Sequence, residues 1–198
     1  IKMKNIIIAL FLVVGFNTYA QYSYVTYTTG SPIGDYRDFI SEHSWKGFEA
    51  GFEKELQDNF SMGLSYRYIK FYEKKERETI EFDNGAITST LYTYSFINNI
   101  NLTMTYLHQN ESKITPYLNF AVGPTYVRNE LIIGFLQLTD HKWRFNLSSA
   151  LGIRYSLAED LMLDFKVDYN YMPVQYEKFK SMKYVGFSLG IGWTVFSY

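Results

Sequence analysis

The residues able to do chemistry are few, and their spacing limits what that chemistry could be. There are three histidines, His43, His108 and His141, and no cysteine. The histidines share no ligand spacing, and the missing thiols rule out disulfides and thiolate metal sites, so no metal or cofactor is expected. Glu42-His43-Ser44 sets a base and a hydroxyl side by side, the Ser and His that a lipid hydrolase would use on a barrel rim. No third group or oxyanion donor can be matched to them, so an exposed loop is expected and no catalytic residue is assigned. Asp35, Asp38 and Glu42 offer oxygens to Ca²⁺ without the regular spacing of a calcium loop. Glu73, Lys74, Lys75, Glu76, Arg77 and Glu78 mix both signs and predict a solvated hairpin.

A second set of charges is more ordered. Glu49, Glu53, Arg67, Arg144, Arg154, Asp164, Lys166 and Asp168 all lie on the polar face of segments that alternate with period two. Alternation of this kind makes a strand with two unlike faces. Phe60, Met62, Leu64, Tyr66 and Tyr68 oppose Ser61, Gly63, Ser65 and Arg67. Leu161 to Tyr171 and Val185 to Val195 repeat the arrangement, as do Trp45–Leu56, Leu91–Leu107, Ile114–Val127 and Lys142–Ser156. With Tyr22–Thr29, whose facing is ambiguous, that predicts eight strands. Glu53 falls across a short turn from Arg67, and Arg154 across another from Asp164. Buried charge is tolerated only when paired, which predicts a salt-bridge network.

The connections alternate in length. Short polar turns fall near 57–59, 109–112 and 158–160, and long polar stretches at 30–44, 73–90, 128–141 and 172–182. Within the second long stretch, Asn84-Gly85 signals a tight hairpin and continued strands. Short turns at one end and long loops at the other suit a membrane barrel. Before the strands, Lys2 and Lys4 precede an apolar run, Ile6–Phe16, and a small residue, Ala20. That run is too short to cross a bilayer as a helix and reads as a cleavable export signal over 1–20, leaving 21–198 as one barrel domain. Near-neutral charge gives no reason to expect a nucleic-acid partner.

Alternation also fits a soluble barrel, but two features favour lipid outside. The polar face is crowded with Gly, Ser, Ala, Thr and Asn, which suits the narrow interior of an eight-stranded barrel. Aromatics are abundant, with 19 Tyr, 16 Phe and 3 Trp, and they gather at the ends of the apolar faces. Tyr66, Tyr68, Tyr92, Tyr94, Tyr126, Trp143, Tyr169 and Tyr171 would form an outer girdle, and Phe60, Tyr106, Tyr155 and Trp193 an inner one. An eleven-residue strand tilted by about 40° rises roughly 27 Å, the height of such a band. The expected fold is therefore an all-β, eight-stranded, antiparallel up-and-down transmembrane barrel.

The chain resembles the small OmpA/OmpX-like outer-membrane β-barrels of Gram-negative bacteria. The resemblance rests on the export site at Ala20/Gln21, Ser31-Pro32-Ile33-Gly34-Asp35-Tyr36, Trp45-Lys46-Gly47-Phe48 opening the second strand, and Tyr117 to Gly123 in the fifth. It implies a monomer placed in the outer membrane by the assembly machinery; the partners expected are lipid and lipopolysaccharide, with the long loops open to an extracellular partner. The terminal signal that machinery favours would lie at Phe196 or Tyr198. Three roles are open: a structural or surface-interaction barrel with a lumen plugged by polar side chains, a narrow pore for small solutes, and a lipid hydrolase. The first is expected, and no enzyme activity with it.

Overall fold

In the computed structural model, residues 21–57, 59–82, 85–108, 112–176 and 179–195 are described. The expected export segment (1–20), the tip of the Asn84-Gly85 turn and the terminal signal at Phe196 and Tyr198 lie outside them. Eight strands follow in chain order: β1 (Gln21–Ile33), β2 (Lys46–Gln57), β3 (Phe60–Phe82), β4 (Gly85–Leu107), β5 (Ile114–Ile133), β6 (Leu136–Ser156), β7 (Leu161–Tyr176) and β8 (Phe179–Val195). One short helix, α1 (Asp35–Phe39), interrupts the connection from β1 to β2. Each strand pairs antiparallel with its neighbours in sequence, and β1 closes on β8.

The register fixes the barrel's shape. Starting at Ser23, cross-strand partners run through Phe52, Leu64, Leu102, Val122, Leu147, Tyr171 and Lys183, and return to β1 at Ile33. One circuit thus climbs ten residues along β1, from Ser23 to Ile33. That shear tilts every strand and leaves a bore only wide enough for side chains.

The outward parity is apolar around the middle of the wall. Val25, Leu102, Phe120, Leu147, Leu151, Leu189 and Ile191 are exposed there, an arrangement stable only against lipid. Among the described residues no helix is long and apolar enough to cross a membrane; the strands do the crossing. The ambiguous first strand resolves with Tyr22, Tyr24, Thr26 and Thr28 buried inside and Val25 and Tyr27 exposed outside. Glycines on facing strands make room for those rings: a Cβ at Gly51 would sit 2.7 Å from the Tyr24 ring, and one at Gly192 or Gly152 would collide with Tyr22 or Tyr117.

The long stretches are mostly strand rather than loop. β3 and β4 run on to Phe82↔Gly85, and β5 and β6 pair up to Ile133↔Leu136 around Gly134, whose φ of 58° suits glycine. β2 leaves β3 at Lys46↔Lys70, and the described β6–β7 pairing ends at Leu147↔Tyr171. The β3–β6 sheet therefore projects beyond its neighbours. Polar strand residues had looked like loop because above the membrane the outer face meets water.

Candidate functional site: the lumen

The inward charges form two layers across the bore. In the upper layer Arg67 bridges opposite walls. Its Nε donates to Glu49 Oε2 at 2.8 Å, while Nη1 and Nη2 grip Asp168 Oδ1 and Oδ2 at 2.5 and 2.9 Å. Lys166 Nζ reaches the other Glu49 oxygen at 2.8 Å, which Tyr24 also donates to at 3.0 Å. Asn170 accepts from Arg67 and donates to Asp168. A planar guanidinium held in this bidentate way is fixed in angle as well as in place.

The lower layer centres on Arg154. It pairs with Glu53 at 2.8 Å and with Asp164 at 3.4 Å. Its guanidinium lies over the Tyr22 ring at 3.8 Å and the Tyr117 ring at 4.8 Å, a cation–π arrangement that desolvation strengthens. Both phenols donate to Asp164, at 2.9 and 2.6 Å. Ser61 and Thr105 donate to Glu53, and Asn119 extends the chain to Thr105. Glu49, Glu53, Arg67, Arg154, Asp164, Lys166 and Asp168 are all buried.

Two details depart from the sequence reading. Glu53 takes Arg154 from across the bore as its partner, while Arg67 pairs with Glu49, its direct neighbour in the register. Arg144 stands apart: it is half-buried, has no ion pair among the described residues, and its Nε is buried without a hydrogen-bond partner.

Above the charged layers the lumen changes character. Ile69, Phe71, Ile97, Val127, Met172, Met182 and Tyr184 point inward and pack together. Tyr36 and Ile40, from α1 and its C-terminal end, drop onto them and are fully buried. Tyr36 meets the Phe71 ring edge-on at 5.6 Å, and Phe71 meets Tyr184 at 5.5 Å. Ser41 fastens the lid: its backbone N and its Oγ donate to the two Glu73 oxygens, at 3.0 and 2.7 Å. Sequence reasoning missed this apolar cap. Its signal was the apolar residues Ile69, Phe71 and Ile97 on the otherwise polar parity, beside Lys70 on the apolar one.

The other candidate residues are scattered. His43 Nδ1 lies 2.7 Å from Ser31 Oγ and its Nε2 has no hydrogen-bond partner among the described residues, whereas Ser44 donates to the Lys70 carbonyl at 2.6 Å. His108 and His141 are exposed, as are Asp35, Asp38 and Glu42. No metal-type cluster occurs among the described residues. Lys74 pairs with Glu76 at 2.7 Å, on the projecting part of β3.

The outward aromatics fall at two ends. Phe60 meets Tyr106 at a tilt, with ring centres 5.0 Å apart, at the short-turn end, where Tyr155 and Trp193 also lie. Toward the other end Phe48 touches Tyr66 and Tyr68, and Tyr126 touches Trp143, with Tyr169 and Tyr171 on β7. Tyr92 and Tyr94 stand higher, beyond the last β2–β3 pair, with Tyr94 against Tyr72 at 5.0 Å.

No family model matches the sequence, and no curated protein does. Solved structures do match in fold. The Neisserial surface protein A (NspA) is 16% identical, aligned over 89% of this chain and 97% of that one, with a TM-score of 0.58. Ail, the attachment invasion locus protein of Yersinia pestis, is 9% identical over 89% and 97%, at 0.51. The outer membrane protein OprG from Pseudomonas aeruginosa is 11% identical over 90% and 96%, also at 0.51. Closure, shear, lipid-facing wall and these neighbours agree: the chain has the fold of the small OmpA/OmpX-like outer-membrane β-barrels.

Proposed function

We propose that this outer-membrane barrel is sealed and acts at the cell surface, its projecting β3–β6 sheet meeting an extracellular partner. The observation that carries the reading is the filled bore: two ion-paired layers and an apolar cap occupy it in succession. A conducting pore needs a continuous wet path, and an eight-stranded barrel has little width to spare for one. Among the described residues the projecting sheet has unpaired outer stretches on β3 and β6, and such edges can accept a partner's strand.

Single-channel recording in planar bilayers tests the seal. The reading expects no steady conductance from the folded barrel; a large, steady open level would favour the narrow-pore alternative. The reading also assigns no hydrolysis to His43, since Ser44 gives its hydroxyl to the Lys70 carbonyl. Phospholipid or lipid A cleavage that His43→Ala abolishes would contradict that.

A further inference from the structure

The two projecting hairpins differ in charge. Between β3 and β4 the chain is charged almost throughout, with Glu73, Lys74, Lys75, Glu76, Arg77, Glu78 and Glu81. Between β5 and β6 it carries no charge for nine residues, Leu131 to Thr139, and six of these are large and apolar. Gly134, with its φ of 58°, makes the turn and leaves Phe135 at the apex. Phe135 is 89% exposed and Leu138 57%. Apolar residues lie on both faces of this tip. Leu131↔Leu138 and Ile133↔Leu136 share one side, and Ile132 is on the other, opposite Gln137.

Height, size and charge limit what such a tip can meet. Tyr126 on β5 belongs to the outer girdle, which marks the headgroup level, and Gly134 lies eight residues beyond it, from 126 to 134. At about 3.3 Å per residue and a tilt of about 40°, that is a rise of roughly 20 Å above the barrel's own membrane. β4 pairs with β5 as far as Leu91↔Ile133, so a sheet holds the hairpin at that height. A specific protein interface takes about 20–30 residues a side, and two side chains more than half exposed fall far short of one. The nearest charges are paired with each other, Arg128 with Glu130 at 3.1 Å and Lys142 with Asp140 at 3.6 Å. The tip therefore offers a partner no net charge of either sign.

We infer that the β5–β6 tip inserts shallowly into a zwitterionic membrane facing the cell, with Phe135 and Leu138 leading. Apolar side chains on both faces suit a medium that surrounds the tip; a protein surface would use one face. The backbone permits shallow entry. Strand pairing runs up to Ile133↔Leu136, and among the described residues only the outer edge of β6 is left unpaired there. Unpaired backbone groups keep that edge at the wet interface, which holds insertion to the boundary between headgroups and acyl chains. A lipid partner presupposes that the projecting sheet acts outside the cell, as proposed above.

The test holds the folded barrel in phosphatidylcholine nanodiscs and adds sucrose-loaded phosphatidylcholine vesicles, which are then pelleted. Wild type should pellet with the vesicles in low salt and equally in about 1 M sodium chloride, where charges are screened within about 3 Å. Phe135→Asp/Leu138→Asp should lower the vesicle-bound fraction roughly tenfold or more, the effect of keeping one large apolar side chain out of hydrocarbon. Phe135→Trp should keep it. Heat-modifiable gel migration checks that each variant is folded. A polarity-sensitive dye on Gln137→Cys should shift to the blue only when vesicles are present. No pelleting of the folded wild type, equal pelleting of the Asp variant, or release by salt would overturn the lipid assignment. A blue shift without vesicles would mean that barrels meet tip to tip, and would overturn it too. None of these readouts depends on the bore, so vesicle binding can fail while the barrel stays silent in single-channel recording, or succeed while it conducts.

Discussion

At the scale of single residues, the account turns on Arg67 and Arg154. Each is buried and holds two carboxylates from different walls, so neither can be deleted without leaving uncompensated charge. Arg67→Ala is expected to lower the unfolding free energy by about 3–5 kcal/mol, read from urea unfolding in lipid vesicles. Arg144→Ala should cost less than about 1 kcal/mol, because Arg144 has no ion pair to lose among the described residues. Equal costs would mean the layers are not what holds the lumen together. The sequence made the inward facing of these charges legible, since Glu49 and Glu53 keep parity with Gly47 and Gly51. Partner choice was not legible. Each cross-strand row climbs around the wall, so Arg154 on β6 comes level with Glu53 on β2, and proximity across a short turn is a poor guide to who meets whom.

At the scale of elements, polarity and parity separate at the membrane's edge. Up to Tyr68 the outward residues of β3 are apolar; beyond it Lys70 and Lys74 face out while Ile69 and Phe71 face in. Strand periodicity continues, but the side that must be apolar changes, because lipid gives way to water and the lid replaces the charged layers. That is why β3–β6 looked shorter in sequence than they are. The same logic makes α1 a lid, tied at Ser41 to one carboxylate, Glu73. Glu73→Gln or Ser41→Ala should loosen α1 and speed trypsin cleavage after the exposed Arg37 several-fold, measured on intact barrels by gel and mass spectrometry. Unchanged cleavage would place the lid's stability in Tyr36 and Ile40 alone. Within the wall, Gly152→Val should destabilise by about 1–3 kcal/mol by forcing the Tyr117 ring off its glycine and away from Asp164.

At the scale of the whole molecule, closure and facing belong together. The ten-residue shear gives eight strands a narrow interior, and that interior is filled by small polar residues, paired charges and rings, while large apolar residues go to the lipid. A charge placed outward near mid-wall, as in Leu147→Lys, should cost about 2–4 kcal/mol in a bilayer. Because the chain has no native cysteine, the sealed barrel can be tested directly with single introduced thiols. The decisive position is Ser65, buried in the lumen just below the Arg67 layer. In the folded barrel Ser65→Cys should stay unmodified by a small, charged thiol reagent, while a Cys replacing the exposed Phe135 at the β5–β6 turn reacts at once. Rapid labelling of the Ser65→Cys barrel would mean an open, wet lumen and would contradict the account.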